Sequence, residues 1–429
     1  MKTFIYDEFN PQDVAMLQAL YSRSAQSVED HVNKVRESGS GKFMERYYVG
    51  YGHASIADCG STTVFIEGVS MLAAKAIQDW QLYSGQETSS RYIDMSKQLL
   101  VDPLGTKESK AILSRWMNFY TTAQARVEAH LRVKYPKKAD EDIAMYDKAI
   151  KARIFDILRG FLPAGVTTQL SWHTNLRQAH DKLSLLRHHP LAEIRNIAVE
   201  IETKLKEKYP HSFGHKVYSQ QEEYRKLSAD LYTYFDNKKT KAFKMRTTIR
   251  SADLMVYKKV VARRPMKTNL PTFLEELGLI TYEFLIDFGS FRDIQRHRKG
   301  VCRMPILTTP HGFNTWYLDQ LPDDLRKEAK LLIKEQVRRI KALKATKEVA
   351  QYYIAMGFNV ACRTTYGLPA AVYTMELRSG KLVHPTLRLI AHEMYRALSK
   401  QFPGMALHAD MDLDDWDIRR GAQDIKEKA

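Results

Sequence analysis

The sequence predicts an α+β protein made of two tandem domains, residues 1–235 and 236–429. Three observations lead there. At 429 residues the chain exceeds one average domain and suits two, and with 44% apolar residues each can bury a core. Short β-branched runs alternate with long amphipathic stretches of helical period. The same order of these elements then occurs twice, which points to an internal duplication.

In the first copy, Ser61–Val69 reads as a strand that runs into a short helix and then a polar loop at Glu87–Tyr92. Leu279–Ile286 plays the same part before Arg296-His297-Arg298. An amphipathic helix follows each. One spans about 109–133, with Ile112, Trp116, Tyr120, Ala123 and Val127 on one stripe. The other spans about 323–345, where Leu325, Ala329, Leu332, Ile333 and Ile340 follow the acidic start Asp323-Asp324.

A Leu-Pro pair then opens the last part of each copy. Leu162-Pro163 precedes a strand at Val166–Trp172, and Leu368-Pro369 precedes a run with strand character at Val372–Leu377. Terminal helices run from about Leu176 to Lys206 and from Thr386 to Lys400. The copies are offset by 217 residues near the loops and by 206 at the Leu-Pro pairs. Between them, residues 207–250 predict a helical connector carrying Tyr218, Tyr224, Tyr232 and Tyr234.

Cys59, Cys302 and Cys362 make no C-x-x-C pair and no even framework, which favours a reducing compartment over disulfides. The N-terminus turns acidic before an apolar signal core can form, and no 18 apolar residues run together. A cytoplasmic protein without a membrane segment or a metal site is expected. The net charge of +16 is concentrated between Lys238 and Lys267, where eleven basic residues face the single acid Asp253. Such a stretch suits nucleic acid or an anionic small substrate, and equally a solvated segment between domains.

The chemistry-bearing residues form two half-copies of one pattern. Arg296-His297-Arg298 places two guanidiniums around an imidazole, a donor set suited to phosphate or pyrophosphate. Where the first copy has Ser84, Gln86, Glu87, Ser89 and Arg91, the second has Val301, Arg303, Met304, Ile306 and Thr308. Conversely, the first copy has Asp79-Trp80-Gln81 in place of the basic triplet. Glu87, Ser89 and Arg91 alternate along an extended segment, so an acceptor, a hydroxyl and a guanidinium can face one side and read a nucleotide.

Laid end to end, the halves resemble the signature of the flavin-dependent thymidylate synthases, with Gln86 where that family has Asn. The resemblance implies two tandem domains of that kind, each a mostly antiparallel sheet flanked by long helices. It also implies reductive methylation of dUMP to dTMP with FAD, NADPH and methylenetetrahydrofolate, a reaction needing no protein nucleophile. Arg296, His297 and Arg298 would then hold the flavin, with Arg296 also catalytic. Ser84, Gln86, Glu87, Ser89 and Arg91 would hold the nucleotide, joined by Arg159, which stands four residues before Pro163. Asn175 matches a flavin contact, and Arg187 a catalytic arginine that meets the pyrimidine.

Gly52-His53-Ala54-Ser55 resembles the segment that seats flavin and folate, although Asp58-Cys59 replaces the family's Glu-His. The second copy departs further. Arg378, His384 and Arg388 replace its pattern, and Arg363 lies six rather than four residues before its Leu-Pro proline. Because the family builds composite sites among four subunits, the resemblance implies a homodimer acting as a pseudo-tetramer. Two other readings stand beside it. One is a flavin-dependent one-carbon modification of uracil in another nucleotide or in a nucleic acid held by residues 238–267. The other is a non-catalytic protein that binds nucleotide or nucleic acid.

Overall fold

The β-branched run at residue 61 and the apolar alternation at residue 279 both become strands in the computed structural model, which describes residues 9–22, 24, 26–50, 54–91, 93–231, 233, 242–414 and 416. The chain is α+β, and it divides into two compact units that interleave in sequence. The first takes Met1–Gly68, Ala76–Glu87 and Gln169–Tyr232; the second takes Val69–Lys75, Thr88–Thr168 and Thr233–Ala429.

In the first unit, β1 (Ser61–Ser70) and β2 (Thr167–Asn175) form a two-stranded sheet. The helices Pro11–Tyr21 and Val28–Ser38 close a small core of Met16, Leu17, Val32 and Val35. The predicted helix 176–206 is two helices, Leu176–Leu186 and Ala192–Lys208. Pro190 lies in the break, where it can neither donate to a continuing helix nor fit one sterically. The connector is helical only over Ser219–Asp230, and Tyr232 and Tyr234 fall outside the described residues.

The second unit holds a four-stranded antiparallel sheet in the order β3-β4-β6-β5, with β3 at Phe243–Thr247, β4 at Leu279–Asp287, β5 at Val301–Arg303 and β6 at Asn359–Gly367. Strand β4 runs centrally, pairing with β6 from Leu279↔Gly367 to Asp287↔Asn359. Its alternate residues Ile280, Tyr282, Phe284 and Ile286 are buried, the period-two pattern of a strand with one covered face. Strand β3 was not anticipated. It is five residues long and carries Lys244 and Arg246 on its exposed face, so its apolar alternation is short and masked by charge.

The long helix Lys107–Lys134 starts where the Thr106 hydroxyl accepts from Ser109 N at 3.0 Å. It packs against Ile143–Leu158 and Asp323–Ala342. Gln336 seals the latter contact, its side-chain amide donating to Ile112 O at 2.8 Å.

The later elements differ from the expectation. Val372–Leu377, predicted as a strand, lies inside the helix Leu368–Ser379. Pro369 stands in its first turn, where a missing N–H costs nothing, and Ala370-Ala371 favour helix. Leu368 therefore starts its helix as Leu176 starts another, 192 positions earlier. By that offset the counterpart of Leu162–Gly165 is Ile354–Gly357, and the counterpart of Arg159 is Gln351, not Arg363.

These two turns bond to each other reciprocally. Ala164 N donates to Ile354 O at 2.9 Å and Met356 N to Leu162 O at 2.8 Å; Gly165 N donates to Tyr352 O at 2.9 Å and Gly357 N to Gly160 O at 2.7 Å. The backbones come so close that a Cβ on Gly165 would sit 2.8 Å from Tyr352 O, and one on Gly357 would sit 2.5 Å from the Phe313 ring.

Candidate functional site

Arg91 and Arg296-His297-Arg298, the cationic ends of the two half-patterns, both fall in the second unit. The helix Phe288–Ile294 carries the basic triplet at its C-terminal end. It begins at Asp287, a fully buried carboxylate whose Oδ1 accepts from Ser290 N at 2.8 Å. The same carboxylate accepts from the Tyr317 hydroxyl at Oδ1 and the Thr386 hydroxyl at Oδ2, both at 2.6 Å. Three donors and the guanidinium of Arg159, 4.0 Å away, compensate its removal from water.

Arg159 is itself buried. Its Nη2 donates to the Ser290 hydroxyl at 2.8 Å, while its Nε has no hydrogen-bond partner among the described residues. His384 lies against the same group, with Nδ1 2.8 Å from the Thr386 hydroxyl. Burial, reinforced by Arg159 and Arg91, holds its pKa well below the usual imidazole value, so it is neutral.

Arg91 grips Asp156 with two hydrogen bonds, Nε to Oδ1 and Nη2 to Oδ2, the second at 2.8 Å. Burial pushes the Asp156 carboxyl up against the pull of Arg91, Arg159 and Arg153. The next residue back along the loop, Ser90, accepts from Arg292 Nη1 at 3.0 Å. A cleft of about 290 Å³ opens beside Arg91, lined also by Arg153, Asp156, Lys381 and Trp416.

Asp293 joins the two half-patterns electrostatically. Burial opposes its ionisation, yet Arg296, Arg378, Arg159 and Arg91 together hold its carboxyl far below the usual range. Arg296 lies 3.7 Å from it with the rest of its side chain half exposed. His297 is buried, and its Nε2 accepts from Arg378 Nε at 2.7 Å. Arg298 is half-buried beside it.

Arg91, Arg153 and Arg159, all buried, act on the single buried carboxylate Asp156, a local excess of positive charge. Such an excess suits an anionic group such as a phosphate. The residues fit a phosphorylated ligand by charge, and the donor set requires no metal to do so.

The loop itself departs from the expected row. Glu87 and Ser89 are half-buried, but the chain turns at Ser89–Arg91, where the Ser89 hydroxyl accepts from Arg91 N at 3.3 Å and Ser89 O accepts from Ile93 N at 3.1 Å. Arg91 therefore does not continue the extended alternation. Tyr92 lies outside the described residues.

The remaining predicted residues belong to the first unit. Ser84 and Gln86 are exposed and pair through their backbones with His173 and Ser171. Glu87 accepts from the Gln78 amide at 2.9 Å. Asn175 caps the helix Leu176–Leu186, accepting from Gln178 N at 2.8 Å. Arg187 is engaged by Glu202 at 2.8 Å and Glu222 at 3.3 Å. Ser55 is exposed, its carbonyl facing the Cys59 thiol at 3.7 Å, and His53 lies outside the described residues. Arg177 pairs at 2.8 Å with Asp58, the residue that departs from the family's pattern.

Arg292, Asp293, Asp156 and Ser290 were missed in the sequence. A faint signal existed, since Asp156 and Arg159 stand three apart and Asp293 interrupts a basic run. Arg378 and His384 were noticed without a role; both now have partners.

Residues 6–211 match the family model described as thymidylate synthase complementing protein. A UPF0159 protein of Chlamydia pneumoniae is 25% identical, across 90% of this chain and 83% of its own length. One from Thermoplasma acidophilum is 23% identical, across 96% and 98%. Among solved structures, the flavin-dependent thymidylate synthase ThyX of Helicobacter pylori, complexed with FAD and dUMP, is 19% identical with a TM-score of 0.30, covering 48% of this chain and 94% of that one. No helix among the described residues is long and apolar enough to cross a membrane. Residues 6–211 thus carry a likeness to the thymidylate synthase complementing protein family.

Proposed function

We propose that the protein is a flavin-dependent enzyme that methylates a uridine nucleotide, dUMP to dTMP, using FAD, NADPH and methylenetetrahydrofolate. The observation that supports it most is the meeting of Ser90 with Arg292 at 3.0 Å, which brings the nucleotide-reading loop of one copy beside the basic triplet of the other. In this reading Arg91 and Arg159 take the phosphate, Arg159 with its unpartnered Nε, and Asp156 yields part of its hold on Arg91 to the ligand. Arg296, His297 and Arg298 face the flavin, which supplies the reducing equivalents. Within the first unit, Ser84, Gln86, Glu87, Asn175, Ser55 and Arg187 are proposed as ligand-binding residues, Arg187 by exchanging a carboxylate partner for the pyrimidine.

The reading also treats the chain as two tandem copies that share one working site. At the other position Met304 stands where the first copy has Glu87, and Gln295 faces its sulfur at 3.6 Å as Gln78 faces Glu87 at 2.9 Å. The charged contact is gone there. If Arg91 and the triplet serve one ligand within a single chain, the proposed homodimer would hold two such sites.

The test is direct. Purified protein should carry or take up flavin, and should convert dUMP to dTMP with methylenetetrahydrofolate and NADPH. A colourless protein that gains no flavin on titration excludes the reading. A second reading, uracil modification in a nucleic acid, draws on Lys244, Arg246, Arg250, Lys258, Lys259 and Lys267, which are all exposed. It requires a steep salt dependence of binding to RNA or DNA that dUMP alone does not show.

A further inference from the structure

We propose that Arg378 is a positioning residue that holds His297 as a neutral imidazole with its proton on Nδ1, presenting a single hydrogen-bond donor to an uncharged acceptor, a ring carbonyl of the bound flavin or pyrimidine. The choice of acceptor rests on the functional reading above; the tautomer does not.

The geometry leaves one protonation pattern. Arg378 stands in the last turn of the helix Leu368–Ser379, and its Nε donates to His297 Nε2 at 2.7 Å. A guanidinium has no acceptor and keeps its protons, so Nε2 must offer its lone pair. The ring proton is then on Nδ1. The same guanidinium anchors itself to the triplet's own helix, Nη2 donating to Asp293 O at 2.8 Å. Tyr373, one turn earlier, sets the ring's tilt through an edge contact with centroids 6.0 Å apart.

Four charged groups face the imidazole: the cations Arg378, Arg298 and Arg296, and the carboxylate of Asp293. Burial and the three cations outweigh the one anion, and the pKa of His297 falls to about 3. A second proton is refused across the physiological range. No described residue takes the Nδ1 proton, which leaves that donor for a ligand. His297 therefore donates and does not act as a base. In a cluster of permanent cations it is the neutral member, suited to a carbonyl oxygen where a guanidinium would suit a phosphate.

The pairing is specific to unlike copies. Position 378 corresponds to Leu186 in the first copy, and position 297 to Trp80. Neither counterpart carries a polar group able to make this contact in the same way.

Nitrogen-15 spectroscopy of histidine-labelled full-length protein, without ligand, tests the tautomer. His297 should show a protonated Nδ1 and an unprotonated Nε2, unchanged between about pH 5 and about pH 8. Arg378→Gln should return it to a mixture of tautomers whose titration moves up from the wild-type position but stays below the ordinary value, because the ring remains buried beside Arg298 and Arg296. Arg378→Lys keeps the charge and loses the Nε geometry, and should restore neutrality without a single tautomer. Wild-type protein with the proton on Nε2, or titrating near the ordinary value, overturns the proposal whether or not the variants fold. Flavin titration tests the acceptor: His297→Asn keeps a donor near Nδ1 and should bind within about threefold, whereas His297→Gln places it near Nε2 and should lose about tenfold. Equal affinities of the two variants for flavin, and likewise for dUMP, overturn the assigned acceptor. A protein that takes up no flavin overturns the functional reading instead, and the spectra still decide the role of Arg378.

Discussion

Ser90 and Arg292 stand 202 positions apart in sequence and 3.0 Å apart in space, the serine hydroxyl accepting from Nη1 of the arginine. Both are buried, so the bond is made out of water. Arg292→Gln should destabilise the protein by about 2 kcal/mol and weaken dUMP binding. Urea denaturation and calorimetric titration measure the two effects. An unchanged unfolding midpoint would show that this contact does not hold the loop.

Arg91 and Asp156 allow a cleaner separation of folding from binding. Arg91→Gln strands a buried carboxylate and should cost about 3 kcal/mol or more. Adding Asp156→Asn should recover most of that stability but none of the nucleotide affinity. Recovery of binding in the double variant would mean that Arg91 serves the fold alone.

Arg296 is half exposed but helps keep Asp293 ionised against burial. Arg296→Glu should therefore lower the melting temperature and abolish turnover and flavin uptake. Wild-type activity in this variant contradicts a site shared between the two half-patterns.

Acid should destabilise the protein partly through His297. Its folded pKa of about 3 lies below the ordinary value of about 6.5, so its contribution is complete above the latter and lost as pH falls toward the former. Between about pH 7 and about pH 5 the loss is about 2 kcal/mol, and His297→Asn should remove it. Denaturant midpoints of both proteins at the two pH values give the comparison. Parallel pH profiles would show that His297 does not titrate as described.

Gly165→Ala tests the reciprocal turn. The new methyl would press on Tyr352 O and Val101 O, each 2.8 Å away, and backbone cannot swing aside as a side chain can. A loss of about 1–3 kcal/mol is expected in thermal or urea unfolding.

The strands at residues 61, 167, 279 and 359 are dense in β-branched or aromatic residues, and those at 61, 167 and 279 were legible for that reason. The helix at Leu368 was not, because Val372-Tyr373-Thr374 has strand propensity and is overruled by its proline-led start and by packing against Pro385–Gln401. The basic triplet and the Glu87–Arg91 loop were legible as donors and acceptors at close spacing. The roles of Asp156 and Arg378 were not: each matters through a residue on another element, and a contact across 65 or 81 positions leaves no local trace.

The turns Leu162–Gly165 and Ile354–Gly357 satisfy each other's amides and carbonyls inside one polypeptide. In a seam between identical subunits, every mutation strikes both sides at once. Here a change at one turn leaves its mate untouched, so the two sides are free to diverge. Covalent linkage guarantees the encounter at fixed stoichiometry, and each side can shed groups the other retains.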